Sequence, residues 1–291
     1  MRKVGWLLVL ALGLSPGLHG QSTEESGKGF IWYESLTGTT SSLGTVSRFD
    51  STVGYNFNRF FAVDAGAPVL FVHASSSATT TSLRSASGIG DAYTDVRVTF
   101  LNPVVNVGSN LRVTAPTGST QNGFSSGRAT ADWTNHFDHT FGHVTPFANL
   151  GVANTVPDSS YFVRPYTTLG ITGHFEGGAS VRLMRRLNLR ASAYAIEPTG
   201  QQKVFSRFLN RNSGPANNPG SSSHGPFQNS PETTGTADIA RDHGASIGLD
   251  STVLRVLDLA AGYTHSASFS LNTFYFGVGV NLARFLGSTS H

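Results

Sequence analysis

The stretch that most constrains this chain is residues 272–285, NTFYFGVGVNLARF. Phe274, Phe276, Val278, Val280 and Leu282 fall on one face, and Thr273, Tyr275, Gly277, Gly279 and Asn281 fall on the other. A repeat of two is the signature of a β-strand, whose side chains alternate between faces. One face is large, apolar and aromatic; the other carries glycines and amides. That division suits a strand with lipid on one side and a wet lumen on the other, so the remaining strands are expected to close a barrel against this one.

The amino terminus has a different pattern. Arg2 and Lys3 precede an apolar run at 4–14 (VGWLLVLALGL), followed by the small and turn-forming residues of 15–20. Charged, apolar and small regions in that order read as a secretory signal peptide, with cleavage expected after Gly20. The run is about eleven residues, well short of the roughly 20 that a spanning helix needs. Residues 21–29 are polar and expected to form a flexible periplasmic leader. The chain has no cysteine, so no disulfide supports the exported protein and no lipid is attached through one.

Composition fits an all-β membrane protein. There are 33 Gly and 20 Phe, charged residues make up 13%, and hydrophobicity is spread in alternation rather than in blocks. The pI of 9.3 does not signal nucleic-acid binding. Removing Arg2 and Lys3 lowers the formal net charge from +3 to +1, and no basic stripe remains.

Read in order, the chain gives hairpins in which tight turns alternate with long loops. Residues 30–36 form a short aromatic strand followed by a Thr/Ser/Gly linker. Strands at 45–57 and 60–72 are joined by the turn Asn56-Phe57-Asn58-Arg59. Strands at 91–100 and 104–115 flank Leu101-Asn102-Pro103, and 129–138 pairs with 143–153. Residues 165–183 read as one long strand, longer than the roughly 9–11 residues a tilted strand needs to cross. It returns at 188–196. Residues 197–242 form the longest loop, rich in Asn, Ser, Pro and Gly, with Phe205, Phe208 and Phe227 as anchors able to tether it inside the lumen. Strands at 243–252, 257–266 and 272–285 complete about twelve. Every tight turn then falls at the periplasmic end together with both termini, as an even-stranded barrel requires. The expected fold is therefore an all-β transmembrane antiparallel up-and-down β-barrel with short periplasmic turns and long extracellular loops.

Several short motifs carry a resemblance. GIGD at 88–91 opens a strand, a hairpin ends in APTG at 115–118, FEGGA follows at 175–179, and the last strand alternates aromatic residues with glycine. Together, over roughly residues 44–285, they resemble the bacterial outer-membrane family named for a putative role in the MetA pathway of phenol degradation, often called simply "transporter". The subset Tyr275-x-Gly277-x-x-Val280-x-Leu282 with Phe285 is also similar to the C-terminal signal that such barrels present to their assembly machinery. The resemblance implies a passive channel for small, aromatic or hydrophobic molecules in the outer membrane. Its motifs specify turns and close packing, so it carries over no catalytic residues.

The inward phase of the strands selects Arg48, Asp50, Asp64, Asp95, Arg97, Arg112, Asp132, Glu176, Arg182, Arg190 and Asp250 as a candidate polar lining that chooses which solutes pass. The same residues, paired with one another, would equally fill a closed barrel whose loops contact a partner. Phe147, Tyr166 and Tyr194 join them as interior aromatics. His136, His139 and His143 cluster with Asp138 around one turn, a spacing that can bind zinc or copper, although interfacial polar aromatics are the default reading and no metal or other cofactor is expected. Ser222-Ser223-His224 and His265-Ser266 place serine beside histidine only in sequence; neighbours on a strand point to opposite faces, so no catalytic pair and no enzyme is expected. The expected partners are outer-membrane lipid, the barrel-assembly machinery and a small solute, with no nucleic acid. Phe274, Phe276, Val278, Val280, Leu282 and Phe285 are expected to face lipid and direct assembly. Phe276→Arg and Val280→Arg are therefore predicted to block assembly at a cost of roughly 2–4 kcal/mol near the midplane; normal yield of both variants in the membrane fraction would refute the lipid-facing assignment.

Overall fold

The computed structural model describes residues 28–75, 85–158, 162–209, 225–228, 230–253 and 256–283. The expected signal peptide, most of the leader, Ser222-Ser223-His224 and Phe285 lie outside them. Strands come in the order β1 (Gly29–Ser41), β2 (Gly44–Asn56), β3 (Phe61–Ala74), β4 (Ala86–Ile89), β5 (Tyr93–Phe100), β6 (Asn106–Thr114), β7 (Thr130–Asp138), β8 (Val144–Ala153), β9 (Tyr166–Leu169), β10 (Thr172–Met184), β11 (Leu187–Pro198), β12 (Gln202–Ser206), β13 (Glu232–Gly235), β14 (Asp242–Val253), β15 (Leu257–Ser266) and β16 (Leu271–Asn281).

Thirteen of these segments form one antiparallel sheet that closes on itself, with β1 between β2 and β16 and with β2 also paired to β3. Segments β4 and β5 pair with successive halves of β3 and act as one interrupted strand, which makes a closed barrel of twelve. The closing seam runs from Tyr33 opposite Asn281 to Thr40 opposite Phe274, so the first and last strands start and finish at the same end. Closure satisfies every ladder N–H and C=O, which an open sheet edge in hydrocarbon would leave unmatched.

Polarity is inverted relative to a soluble domain. Asp64, Asp95 and Asp50 are 2%, 3% and 5% exposed, whereas Phe274, Val152 and Trp133 are 64%, 58% and 55% exposed. On β16 the alternation is strict from Leu271 to Gly279, with Asn272, Phe274, Phe276 and Val278 exposed and Leu271, Thr273, Tyr275, Gly277 and Gly279 buried. Inner-face glycines make room for rings: a Cβ on Gly248 or Gly262 would lie 1.8 or 2.2 Å from the Tyr275 hydroxyl, and one on Gly279 would lie 1.8 Å from that of Tyr33. One acid sits on the outer face of β1. Glu34 accepts hydrogen bonds from Trp32 Nε1 at 2.8 Å and Ser51 Oγ at 2.7 Å, donors that offset part of the cost of a carboxylate there.

Three elements depart from the sequence reading. The Thr/Ser/Gly linker after Leu36 is strand: β1 continues to Ser41 and turns through Ser42 and Leu43 alone. Thr37 and Thr39 are buried toward the lumen, and Gly38 leaves space on the other face for the Phe276 ring. The last strand ends at Asn281, so Leu282 lies beyond it; Gly277 and Gly279 face Thr37 and Ser35, while Phe30 pairs with Tyr55. Finally, the long strand at 165–183 is two strands. Only β10 belongs to the barrel wall; β9 joins β12 and β13 in a separate three-stranded sheet. The break falls at Gly170, whose φ of +148° is rare for any residue with a side chain. A Cβ there would also meet Gln202 Oε1 at 2.2 Å.

That small sheet positions the site. Its side chains Tyr166 and Val204, with Phe227 from the short turn at Pro226–Gln228, pack in one apolar cluster with Val46, Leu70, Val72 and Leu271, which are inward-facing wall residues near the long-loop end. Phe205, Phe208 and Phe227 are all 1–2% exposed. The described parts of the long segment, residues 199–209, 225–228 and 230–241, therefore pack at the barrel mouth, held there by burial of rings. Gly170→Val is expected to unseat β9 from β12, a strain of about 1–3 kcal/mol, with the barrel itself retained. Limited proteolysis should cut the 199–241 segment faster in the variant while heat-modifiable gel migration persists; unchanged cleavage would show that the φ of Gly170 is not what breaks the strand.

Candidate functional site

Beneath this folded loop the lumen holds a cavity of 320 Å³. Its wall is built by the inward positions of neighbouring strands: Arg48 and Asp50 on β2, Tyr93 on β5, Asn110 and Arg112 on β6, Asp132 on β7, Asn149 on β8, His174 and Glu176 on β10, Arg190 and Tyr194 on β11 and Tyr275 on β16. Its roof comes from two loops, through Asp158, Phe162 and Arg164 from one and Arg207 from the other.

The wall charges are matched across strands. Arg112 forms a two-pronged pair with Asp95, Nε to Oδ1 at 2.9 Å and Nη2 to Oδ2 at 2.6 Å, and its guanidinium lies 4.0 Å from the Tyr93 ring centre. Tyr93 in turn donates its hydroxyl to Asp50 at 2.9 Å. His174 Nε2 is 2.8 Å from Asp132, and Arg190 donates to Glu176 at 3.3 Å while lying over the Phe147 ring at 3.8 Å. Two-pronged arginine–carboxylate geometry is among the stronger charge-assisted arrangements.

Two further pairs fasten the roof. Arg207 donates to both oxygens of Asp158, at 3.2 and 2.9 Å, which ties the 199–241 loop to the loop after β8. Arg48 on the wall reaches the same carboxylate at 3.6 Å. Arg164 donates to Asp242 at 2.8 Å, and Asp242, at 0% exposure, also accepts from the hydroxyls of Tyr194 at 3.1 Å and Ser266 at 2.6 Å. Backbone approach completes the seal: Gly123, at φ +67°, lies so close to Ser206 that a Cβ would sit 2.0 Å from its carbonyl oxygen.

The candidate lining thus divides. Arg48, Asp50, Arg112, Asp132, Glu176 and Arg190 line the cavity. Asp64, Asp95 and Arg97 do not; Arg97 pairs with Asp64 at 2.7 Å, and Asp95 stands behind Arg112. Asp250 accepts from Asn188 at 2.9 Å near the end that carries both termini, and Arg182 lies close to the β10–β11 turn at that same end. Tyr166 is displaced from the expected wall position, because it belongs to the roof sheet rather than to β10.

The three histidines are not brought together. His136 faces inward, hydrogen-bonded to Asn149 and stacked on Phe147; His139 packs edge-on against Phe141 in the turn. Residue 136 pairs across the hairpin with Asn149, not His143, because the strands pair in register with a turn of several residues between them. Among the described residues no group of three His, Asp or Glu side chains is placed to share a metal ion.

Sequence phase missed Asp158, Arg164, Arg207 and Asp242 as parts of the site. Strand alternation assigns no face to Asp158, Arg164 and Arg207, which lie in loops, and Asp242 stands at the very start of β14, where the sequence still reads as loop.

One solved structure shares this architecture. The chain is similar to an outer membrane channel from Pseudomonas putida F1, 11% identical over 86% of this chain and 93% of that one, with a TM-score of 0.54. It also aligns with the NanC porin, 8% identical over 85% of this chain and 99% of that one, at a TM-score of 0.49. No protein-family model matches the chain, and no curated protein resembles it in sequence. At these identities the likeness is one of fold: a bacterial outer-membrane β-barrel of twelve strands, whose long loops share the extracellular end with the short β1–β2 and β15–β16 turns.

The roof has a defined response to acid. Burial alone would raise the pKa of Asp158, but the guanidinium groups of Arg207 and Arg48 outweigh it and hold the carboxyl below the usual carboxylate range. A depressed folded-state pKa contributes stability above the unfolded value of about 3.9, lost as pH falls through the folded one. The latch should therefore stay shut from pH 8 to 5 and loosen only below about pH 4. Asp158→Asn leaves Arg207 without its charged partner and should weaken the roof by about 3–5 kcal/mol at neutral pH. Hydrogen exchange of β12 amides reads both effects; equal protection in the variant and the parent at pH 7 would remove Asp158 from the latch.

Proposed function

We propose that this protein is a passive outer-membrane channel for small molecules, narrowed at its extracellular mouth by residues 199–209, 225–228 and 230–241 packed over the lumen. The observation that carries this reading is the 320 Å³ cavity in the lumen, of the size of a small-ligand pocket and lined by both rings and charges. A barrel needed only as a wall would gain by filling that volume. The likeness in fold to an outer membrane channel supports the same reading, as does the resemblance to the transporter family carried by the motifs at 88–91, 115–118 and 175–179.

In this reading the signal peptide directs export, and the outer-face residues Phe274, Phe276, Val278 and Val280 meet lipid. The final strand is presented to the assembly machinery. Arg48, Asp50, Arg112, Asp132, Glu176 and Arg190 set which solutes pass. Tyr93, Tyr194 and Tyr275 supply surfaces for an aromatic or hydrophobic part of the solute. No step of bond making or breaking is assigned to any residue.

A second reading draws on the roof itself. Two ion pairs and a cluster of buried rings hold the described loop residues against the wall, which would suit a non-conducting barrel whose outer loops contact a partner. Single-channel recording in planar bilayers separates the two. The parent should show brief, infrequent openings, and deletion of residues 201–232, which removes β12 and the buried rings Phe205, Phe208 and Phe227, should raise conductance several-fold. A deletion variant that migrates as a folded barrel yet stays silent, alongside a silent parent, would sink the channel reading.

A further inference from the structure

Five arginines face the cavity: Arg48, Arg112, Arg164, Arg190 and Arg207. Four donate charge-assisted hydrogen bonds to acids, with closest distances of 2.6, 2.8, 3.3 and 2.9 Å for Arg112, Arg164, Arg190 and Arg207. Arg48 does not. Its Nε is 3.9 Å from Asp50 and its Nη1 is 3.6 Å from Asp158, both beyond hydrogen-bond range. Its Nε is buried with no acceptor among the described residues, and its side chain is only 14% exposed. A guanidinium carries five donors in a planar fork, and burying them unmatched is unfavourable.

The two nearby acids are committed elsewhere. Asp50 accepts from the Tyr93 hydroxyl, and Asp158 takes both prongs of Arg207. Their charges attract Arg48 and hold it at the cavity wall, yet neither lies within hydrogen-bond distance of it. Its Nη groups are the ones open to an incoming planar acceptor, since Nε itself is fully buried.

We infer that Arg48 anchors a carboxylate on the small molecule that occupies the lumen cavity, an inference that rests on the channel reading for the cavity's use as a solute site. The guanidinium fork matches two carboxylate oxygens. The volume limits the solute to a small organic acid. Asp50 and Asp158, close on either side, weigh against a doubly charged phosphate about twice as heavily as against a singly charged carboxylate. Tyr93, hydrogen-bonded to Asp50 two residues along β2, places a ring beside the carbon skeleton.

The test uses the full mature protein in detergent micelles, titrated by calorimetry with benzoate and with benzamide, which share a shape and differ in charge. The parent should bind benzoate about tenfold more tightly, a difference of ~1.4 kcal/mol. Arg48→Gln should abolish the preference, and Arg241→Gln, which removes the same charge from the exposed outer surface, should keep it. Arg48→Lys, which retains charge without the fork, should reduce the preference and serves if the glutamine variant fails to fold by heat-modifiable migration. No preference in the parent, or a preference that survives in both Arg48 variants, overturns the inference. Flux measured in parallel in liposomes separates it from the channel reading. Solute uptake with an Arg48-independent preference sinks this inference alone, whereas Arg48-dependent binding with no uptake, by the parent or by the folded 201–232 deletion, upholds it and sinks the channel.

Discussion

Everything in this molecule follows from the demand that no backbone polar group meet hydrocarbon unpaired. A sheet satisfies that demand only by closing, and the pairing of β1 with β16 over eight residues is where closure occurs. Once closed, the sheet has two faces in different solvents. Phenylalanine, valine and leucine collect outside; aspartate, arginine and threonine collect inside. The inner face then sets a second problem, because charges in a narrow lumen lose much of their hydration.

The wall solves it by pairing. Arg112 with Asp95, Arg97 with Asp64 and Arg190 with Glu176 each link neighbouring strands, so charge is matched locally rather than by water. Removing one member of such a pair is far costlier than its net contribution to stability, since the other is left buried and unmatched. The same chemistry reaches the roof, where Asp158 and Asp242 join loops to each other and to the wall. Arg48 stands at the junction of wall and roof, attracted by two carboxylates and bonded to neither.

Much of the barrel was legible in the chain. Alternation placed Phe274, Phe276 and Val278 outside and Asp50, Asp64 and Asp95 inside, because a strand face is a matter of parity alone. The even strand count predicted that the first and last strands begin and finish at one end, although one tight turn, Ser42-Leu43, lies at the other. Parity failed where the backbone leaves the sheet. The phase of 165–183 continues unbroken through Gly170, yet the chain there turns out of the wall, and only the φ of one glycine and the bulk of Gln202 decide it. The threonines of 37–40 looked like a linker because polarity marks loops in a soluble protein, whereas in a lumen it marks a wall.

The sequence by itself determined the fold class, the in-out assignment of the strands and the inventory of charges, since these depend on residue type and spacing of two. Only the tertiary structure decided which charges meet. The partners Asp158 and Arg207 lie 49 residues apart, and Arg164 and Asp242 lie 78 apart. No local pattern reaches that far. Their meeting depends on how two loops without periodic structure pack inside a closed wall, and that packing turns a polar lumen into a roofed cavity with one arginine left to be matched.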